Sequence, residues 1–385
     1  MRFEAIFLYL YDVGRSVDLE ALEHGLYGRS GGRESLQVER RLDTPESLLL
    51  PTPLILDLED REAEGQVDPV FRRVGFRAKV YEEGVVTIEC RAEVNVDLAQ
   101  LHTLRNVELA DRDGAATLDG LAARHFERLM ARIQRHVNQD QYLFDTSNRE
   151  DYHVFCLLDP VPDPQAFLDD HSDYLARFLL GENPRISLHS GQISTTMRHP
   201  FSFTDEDVAI FDMDRAFLIA PKHDYEDLLL IIEHANYQLL ELRALDKLLD
   251  RLLDDAERDL RGRTKHPHRT KKPQGRGLFQ RRSLSQKLGN LQPLRLDALF
   301  ILENLENSSR IIGDYYLEQI YDHLCGLFNT QGWKRNVEKR LEILQSIYTL
   351  TKNDKTDSTM VLLEFLVVVM IGVELIALIV PLFRP

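Results

Sequence analysis

The chain has 385 residues, with 47 basic against 63 acidic side chains, a formal net charge of −16 and 43% apolar positions. So much apolar surface excludes wholesale disorder and allows a large core. Three cysteines, Cys90, Cys156 and Cys325, stand far apart and odd in number, which excludes a disulfide framework or a cysteine-rich zinc site and fits a reducing compartment.

Phe3–Tyr11 is β-prone, and the apolar N-terminal run reaches Asp12 without a small-residue cleavage site, so it reads as a first strand and not as a signal peptide. Val17–His24 is helical, and Leu36–Leu42 and Leu54–Leu58 are short strands. Val74–Tyr81 and Val85–Val94 flank Glu82-Glu83-Gly84, the pattern of an antiparallel hairpin. Thr117 opens a helix whose stripe is Leu118, Leu121, Phe126, Leu129 and Ile133. A polar run then ends a first α/β unit, residues 1–149. A second, residues 150–223, begins with strand Tyr152–Leu158, continues with a helix started by Asp163-Pro164, and closes with Val208–Phe211 and Ala216–Ala220. Both units open with an apolar strand ending near an aspartate, Asp12 or Asp159, which is compatible with duplication.

From Asp224 to Leu260 the apolar residues Leu228, Ile232, Ala235, Leu239, Leu242, Leu245, Leu249 and Leu252 recur at gaps of three or four, predicting a long helix with a packing seam. Glu233, His234 and Asn236 on it are read as solvated helix surface. A helical region over 296–350 supplies the partner, and together they form a stalk of coiled-coil type. Between them, residues 261–295 hold eleven Lys or Arg and no acid. This is a flexible basic linker, and without it the chain carries 36 basic against 63 acidic residues, or −27. Arg261, Arg263, Lys265, Arg269, Lys271, Lys272, Arg276, Arg281, Arg282 and Lys287 are its candidate contacts to an anionic lipid surface. Attraction to the chain's own acidic body is the plainer reading, and nucleic acid is a third, without an aromatic platform beyond Phe279.

Met360 to Phe383 is an apolar run of about 36 Å as a helix, which predicts one transmembrane span near the C-terminus. Arg340, Lys352 and Lys355 before it and Arg384 after it place the body in the cytoplasm, at an inner membrane if the source is bacterial. Glu364 lies one turn inside the span and Glu374 near its middle, where an ionised acid costs about 2.5–3.5 kcal/mol, so pairing within an oligomer or with another membrane protein is expected.

Chemical motifs are sparse. Ile210-Phe211-Asp212-Met213-Asp214 resembles the haloacid-dehalogenase motif, but Arg215 and Ala216 stand where that family has Gly and Thr, and a tight turn between strands explains it better. Gly313-Asp314 could imitate that family's metal motif but lies in a helical stripe. His266 and His268 sit among positive charges that oppose a metal. No phosphate loop, HExxH, GxSxG or CxxC occurs, so no catalytic residue, cofactor or metal ligand is assigned.

Leu363-Glu364-Phe365, Glu374 and the amphipathic run Lys339–Leu350 resemble the C-terminal region of the family named for proteins required for meiotic nuclear division, whose bacterial relatives are YagE-like. The resemblance covers the last quarter of the chain and implies a membrane-tethered scaffold without a known catalytic residue. The layout is also similar to that of CorA-type magnesium channels, although a second span and the Gly-Met-Asn signature are missing. The sequence therefore predicts an α+β protein: an N-terminal α/β cytoplasmic body, a long helical stalk and a single C-terminal transmembrane helix, acting as a non-catalytic tether at the bilayer. An oligomeric ion transporter and an enzyme with an unrecognised site in the body are the alternatives.

Overall fold

The structure is a computed structural model and describes residues 1–27, 38–40, 52–62, 71–109, 114–138, 148–264 apart from 184 and 223, and 314–347, with isolated positions 296, 298, 299, 302, 303 and 349. The strands are β1 (Arg2–Asp12), β2 (Ser16–Val17), β3 (Val38–Arg40), β4 (Leu54–Glu62), β5 (Phe71–Val80), β6 (Val85–Asn95), β7 (Glu108–Leu109), β8 (Ala116–Thr117), β9 (Val137–Asn138), β10 (Arg149–Leu157), β11 (Val208–Phe211) and β12 (Arg215–Ile219). The helices are α1 (Leu19–Tyr27), α2 (Leu118–Ile133), α3 (Pro164–Asp170), α4 (Ser172–Leu179), α5 (Ser190–Thr196), α6 (Glu226–Thr264), α7 (Tyr315–Leu327) and α8 (330–347), with a 3₁₀ segment at Leu98–Asn106.

Eight strands join in one sheet of order β11-β12-β10-β1-β6-β5-β4-β3, antiparallel throughout except for the parallel pair β10 and β12. Strands from both sequence segments, 1–149 and 150–223, contribute to it. The centre is β1, whose near-continuous apolar run is what a strand buried on both faces requires. Its odd positions Phe3, Ala5, Phe7, Tyr9 and Tyr11 enter a core with Leu121, Phe126 and Leu129 of α2 and Leu175 and Phe178 of α4. There the Tyr11 and Phe126 rings stack at 3.8 Å. Thr117 accepts the Gly120 N–H and so caps α2, and Asp163 does the same for α3.

The other face is crossed by α6. Its first turn meets the start of β1, where Glu226 chelates the Arg91 guanidinium at 2.5 and 2.9 Å and Tyr225 donates its hydroxyl hydrogen to Glu4. Two turns on, the Lys79 ammonium lies 2.5 Å from Glu233 and 2.8 Å from Glu89, and the Tyr81 hydroxyl donates to Glu233 at 2.8 Å. Farther along, Arg243 holds both oxygens of Glu150, which pairs with Leu10 near the end of β1. Glu233, His234 and Asn236, expected on a solvated surface, are buried, Glu233 against the sheet and His234 beside Tyr321 of α7. A helix bonded to sheet residues from Glu226 to Arg243 is not a free stalk, which corrects that part of the sequence reading. Its end also lies beyond the predicted Leu260, at Thr264, so Arg261 and Arg263 belong to its last turn.

Two compact units divide the chain: Met1–Leu248 with Ile301–Lys334, and Leu249–Phe300 with Arg335–Pro385. The first contains the sheet. In the second, Arg340 pairs with Asp250.

The membrane prediction is not upheld. Among the described residues no helix is long and apolar enough to cross a bilayer. The 39-residue α6 has the length, but charges such as Glu226, Asp227 and Glu233 recur along it. Positions 360–383, with Glu364 and Glu374, lie outside the described residues. The single-pass, tail-anchored architecture is thus replaced by a mixed α/β protein.

Candidate functional site

A cleft of about 290 Å³ opens where β11 and β12 meet the starts of α6 and α7. Its floor is apolar: Val208 and Ala209 from β11, Leu218 and Ile219 from β12, Leu228 from α6 and Leu317 from α7. Each chain segment reaches it for a local reason. The edge strand β11 is held by an antiparallel bridge, in which the Phe201 N–H donates to the Ala209 carbonyl at 2.8 Å and the Phe201 carbonyl accepts the Ala209 N–H at 2.7 Å. Asp207 then gathers the preceding loop, accepting the N–H of Phe203 at 2.8 Å, that of Thr204 at 3.2 Å and the Thr204 hydroxyl at 3.0 Å. This loop leaves the Phe203 side chain 72% exposed. Its ring stands 5.2 Å from that of Tyr316, and the two form an aromatic wall. Asp314 accepts the N–H groups of Tyr316 and Leu317, both at 3.0 Å, and fixes the N-terminus of α7.

The rim is acidic. Glu206, Asp207, Asp224, Asp227 and Asp314 line the cleft with a single cation, Lys222, whose ammonium is bound to Glu206 at 2.6 Å, so the lining carries 1 − 5 = −4. Burial, followed by the nearby Asp207 and Asp314, pushes the Tyr316 phenol well above its usual range. It stays neutral as a hydrogen-bond donor. Among the described residues no group of three or more His, Cys, Asp or Glu is arranged to hold a metal ion. These carboxylates are spread around an opening, and two of them hold backbone N–H groups. An extended cation with an apolar body suits that arrangement better than a point charge. Apolar atoms meet the floor, the charge meets the rim, and the exposed aromatic wall adds a cation–π surface.

None of these residues was singled out by sequence as a binding group. Two neighbouring motifs were weighed and resolve as structural devices. Asp212 to Asp214 make the β11–β12 turn, in which the Asp212 N–H donates to the Arg215 carbonyl at 2.8 Å and the Tyr152 hydroxyl donates to the Asp212 carbonyl at 3.0 Å. Asp314 is the cap of α7, not a metal ligand. Of the basic candidates, Arg261 and Arg263 lie in α6, whereas Lys265, Arg269, Lys271, Lys272, Arg276, Arg281, Arg282 and Lys287 lie outside the described residues. The signal that could have marked the cleft was the acidic and aromatic composition of Phe203–Asp207 together with Asp314-Tyr315-Tyr316.

Fold and cleft together define an α/β domain with one mixed sheet, helices on both faces and an acidic opening at the sheet's β11 edge. The chain belongs to the family described as "Uncharacterized protein MJ0711, N-terminal domain", whose model matches residues 2–226. That span holds the whole eight-stranded sheet and stops at the first residue of α6. The chain is 24% identical over 298 residues to "Uncharacterized protein MJ0711" of Methanocaldococcus jannaschii, covering 77% of this chain and 80% of that one. No solved structure matches. The family match falls on the N-terminal sheet domain, and this corrects the resemblance drawn from the last quarter of the chain to the meiotic-nuclear-division and YagE-like family. With that resemblance corrected and no helix among the described residues long and apolar enough to cross a bilayer, the membrane-anchored scaffold is not supported.

Proposed function

We propose that this protein is a ligand-binding protein that takes up an organic cation, an ammonium or guanidinium group on an apolar body, in the acidic cleft. The observation that carries this reading is the combination of an apolar floor, an exposed aromatic wall and a lining charge of −4 in one opening of about 290 Å³. An anion would meet repulsion there, and a neutral apolar molecule would leave the rim unused. Calorimetric titration of the full chain with tryptamine, and separately with indole-3-propionate, separates the alternatives. Tryptamine is expected to bind one to one and its carboxylate counterpart is not. Phe203→Ala combined with Asp224→Asn is expected to weaken tryptamine at least tenfold, equivalent to about 1.4 kcal/mol, without lowering Tm, since both side chains are exposed. Equal binding of the two compounds, or binding unaffected by the double change, would remove the cleft from consideration.

A further inference from the structure

A polar cluster lies within the helix-covered face of the sheet, away from the acidic cleft. Tyr9 of β1 and His153 of β10 point into it from adjacent strands, their rings 6.3 Å apart. Tyr9 is fully buried and His153 is 2% exposed, yet the Tyr9 hydroxyl and the His153 Nε2 find no hydrogen-bond partner among the described residues. The same holds for the Tyr174 hydroxyl of α4 and the Nε of Arg215 on β12. Leaving such a buried group unpaired costs about 1–3 kcal/mol, so the adjacent Tyr9 and His153 groups call for a partner. A guanidinium Nε–H can only donate and the two hydroxyls can donate, whereas the acceptor beside them, the Asp151 Oδ1, has the Arg149 Nε at 2.6 Å.

The charges fit the same picture. Burial, then Arg105, Arg215 and Arg149, lower the His153 pKa to about 3, so the imidazole is neutral at physiological pH and the positive field around it comes from three guanidinium groups. Carboxylates are also present and hold these arginines unequally. Arg149 is tightly bound to Asp119 at 2.7 Å and Asp151 at 2.6 Å, but Arg105 stands 3.5 Å from Asp151 and Arg215 stands 3.6 Å from Asp214. The two loose pairs leave N–H groups for a closer acceptor. Arg215 is positioned by its bond to the Phe178 carbonyl at 2.8 Å and by the turn at Gly181, where φ is +68° and a Cβ would come within 3.0 Å of the guanidinium. The Arg105 side chain is 44% exposed, so the cluster reaches solvent on that side.

We infer that this cluster is a second binding site, for a small oxyanion, with the Tyr9 hydroxyl and the His153 Nε2 as its buried hydrogen-bonding groups and Arg105 and Arg215 as its cationic ones. Phosphate and carboxylate share the required chemistry, and inorganic phosphate and acetate, titrated separately, tell them apart. The test follows thermal unfolding and the imidazole ¹⁵N signals of the full chain, starting in anion-poor buffer. At least one of the two anions at 10 mM is expected to raise Tm and to move the His153 Nε2 signal. Tyr9→Phe removes only the hydroxyl. It is expected to weaken that anion at least tenfold without lowering Tm in its absence, whereas a purely structural hydroxyl would lower Tm. Arg105→Gln, at a partly exposed position, is expected to weaken the anion without unfolding the chain. Unchanged Tm and unchanged His153 signals with both anions, or the same anion response in the wild type and both variants, would overturn the assignment.

Discussion

Lys79→Met is expected to cost about 3–5 kcal/mol, a fall in Tm of roughly 6–20 °C. The ammonium is almost wholly buried between Glu89 and Glu233, and neither carboxylate can reach solvent to recover its hydration. Burial works against the charged lysine, but the two carboxylates outweigh it and its pKa is raised, so the group remains an ammonium throughout the physiological range. Glu89 shows the reciprocal balance. Burial opposes its charge, yet Lys79 and Arg91 hold its pKa far below the usual carboxylate range. Removing the lysine leaves Glu89 with Arg91 alone, at 2.6 Å, and Glu233 with a single tyrosine hydroxyl. Adding Glu233→Gln to Lys79→Met is expected to recover part of the loss, because it removes one of the stranded charges. Urea unfolding of the single and double variants measures both terms. A loss below about 1 kcal/mol would mean that α6 is held to the sheet by its apolar face alone.

Glu241→Gln is expected to act in the opposite direction, stabilising the protein by about 1–3 kcal/mol at pH 7–8. Glu241 is buried on α6, and its pKa is raised well above the usual value by burial first and then by the nearby Asp12 and Glu83. The Glu83 carboxyl is shifted the same way, chiefly by burial. A carboxyl whose folded pKa is raised binds its proton more tightly in the native state. Its favourable contribution is complete below the unfolded value, near 4.3, and is lost as pH rises through the folded value. Wild-type stability should therefore fall from pH 5 upwards by more than that of Glu241→Gln, and the two should converge near pH 4. Parallel stability curves from pH 4 to pH 8 would show that folding does not raise the Glu241 pKa.

Local signals in the sequence were read well because the structure answers to them locally. The β5–β6 hairpin follows from strand composition around Gly84, which adopts φ +89° in the turn. Thr117, Asp163 and the repeat of leucines from Leu228 identify three helices through capping and period. The sheet order is different in kind. β1 pairs with β6 and β10, 73 to 93 and 138 to 154 residues away along the chain, and no local pattern specifies that a first strand will be central. Strand composition does not reveal the burial of Lys79 and Glu89: polar residues at alternate strand positions suit a solvent face, and here that face is covered by α6. The same covering buries Glu233 and His234, whose polarity suggested exposure. The cleft was illegible because its lining comes from three separate segments, 203–209, 218–228 and 314–317, and Asp207 and Asp314 each resemble ordinary turn or cap residues until the fold brings them to one opening. The C-terminal apolar run set the membrane reading by hydropathy alone. It also drew attention away from the N-terminal domain, where the family match lies.

Whether the acidic cleft is where this protein meets its ligand is tested most directly by a crystal structure of the full chain grown with tryptamine. The ammonium is expected within hydrogen-bond reach of Asp224 or Asp227 and the indole against the apolar floor beside Phe203 and Tyr316. Tryptamine bound elsewhere on the chain, with this cleft filled only by solvent, would contradict it.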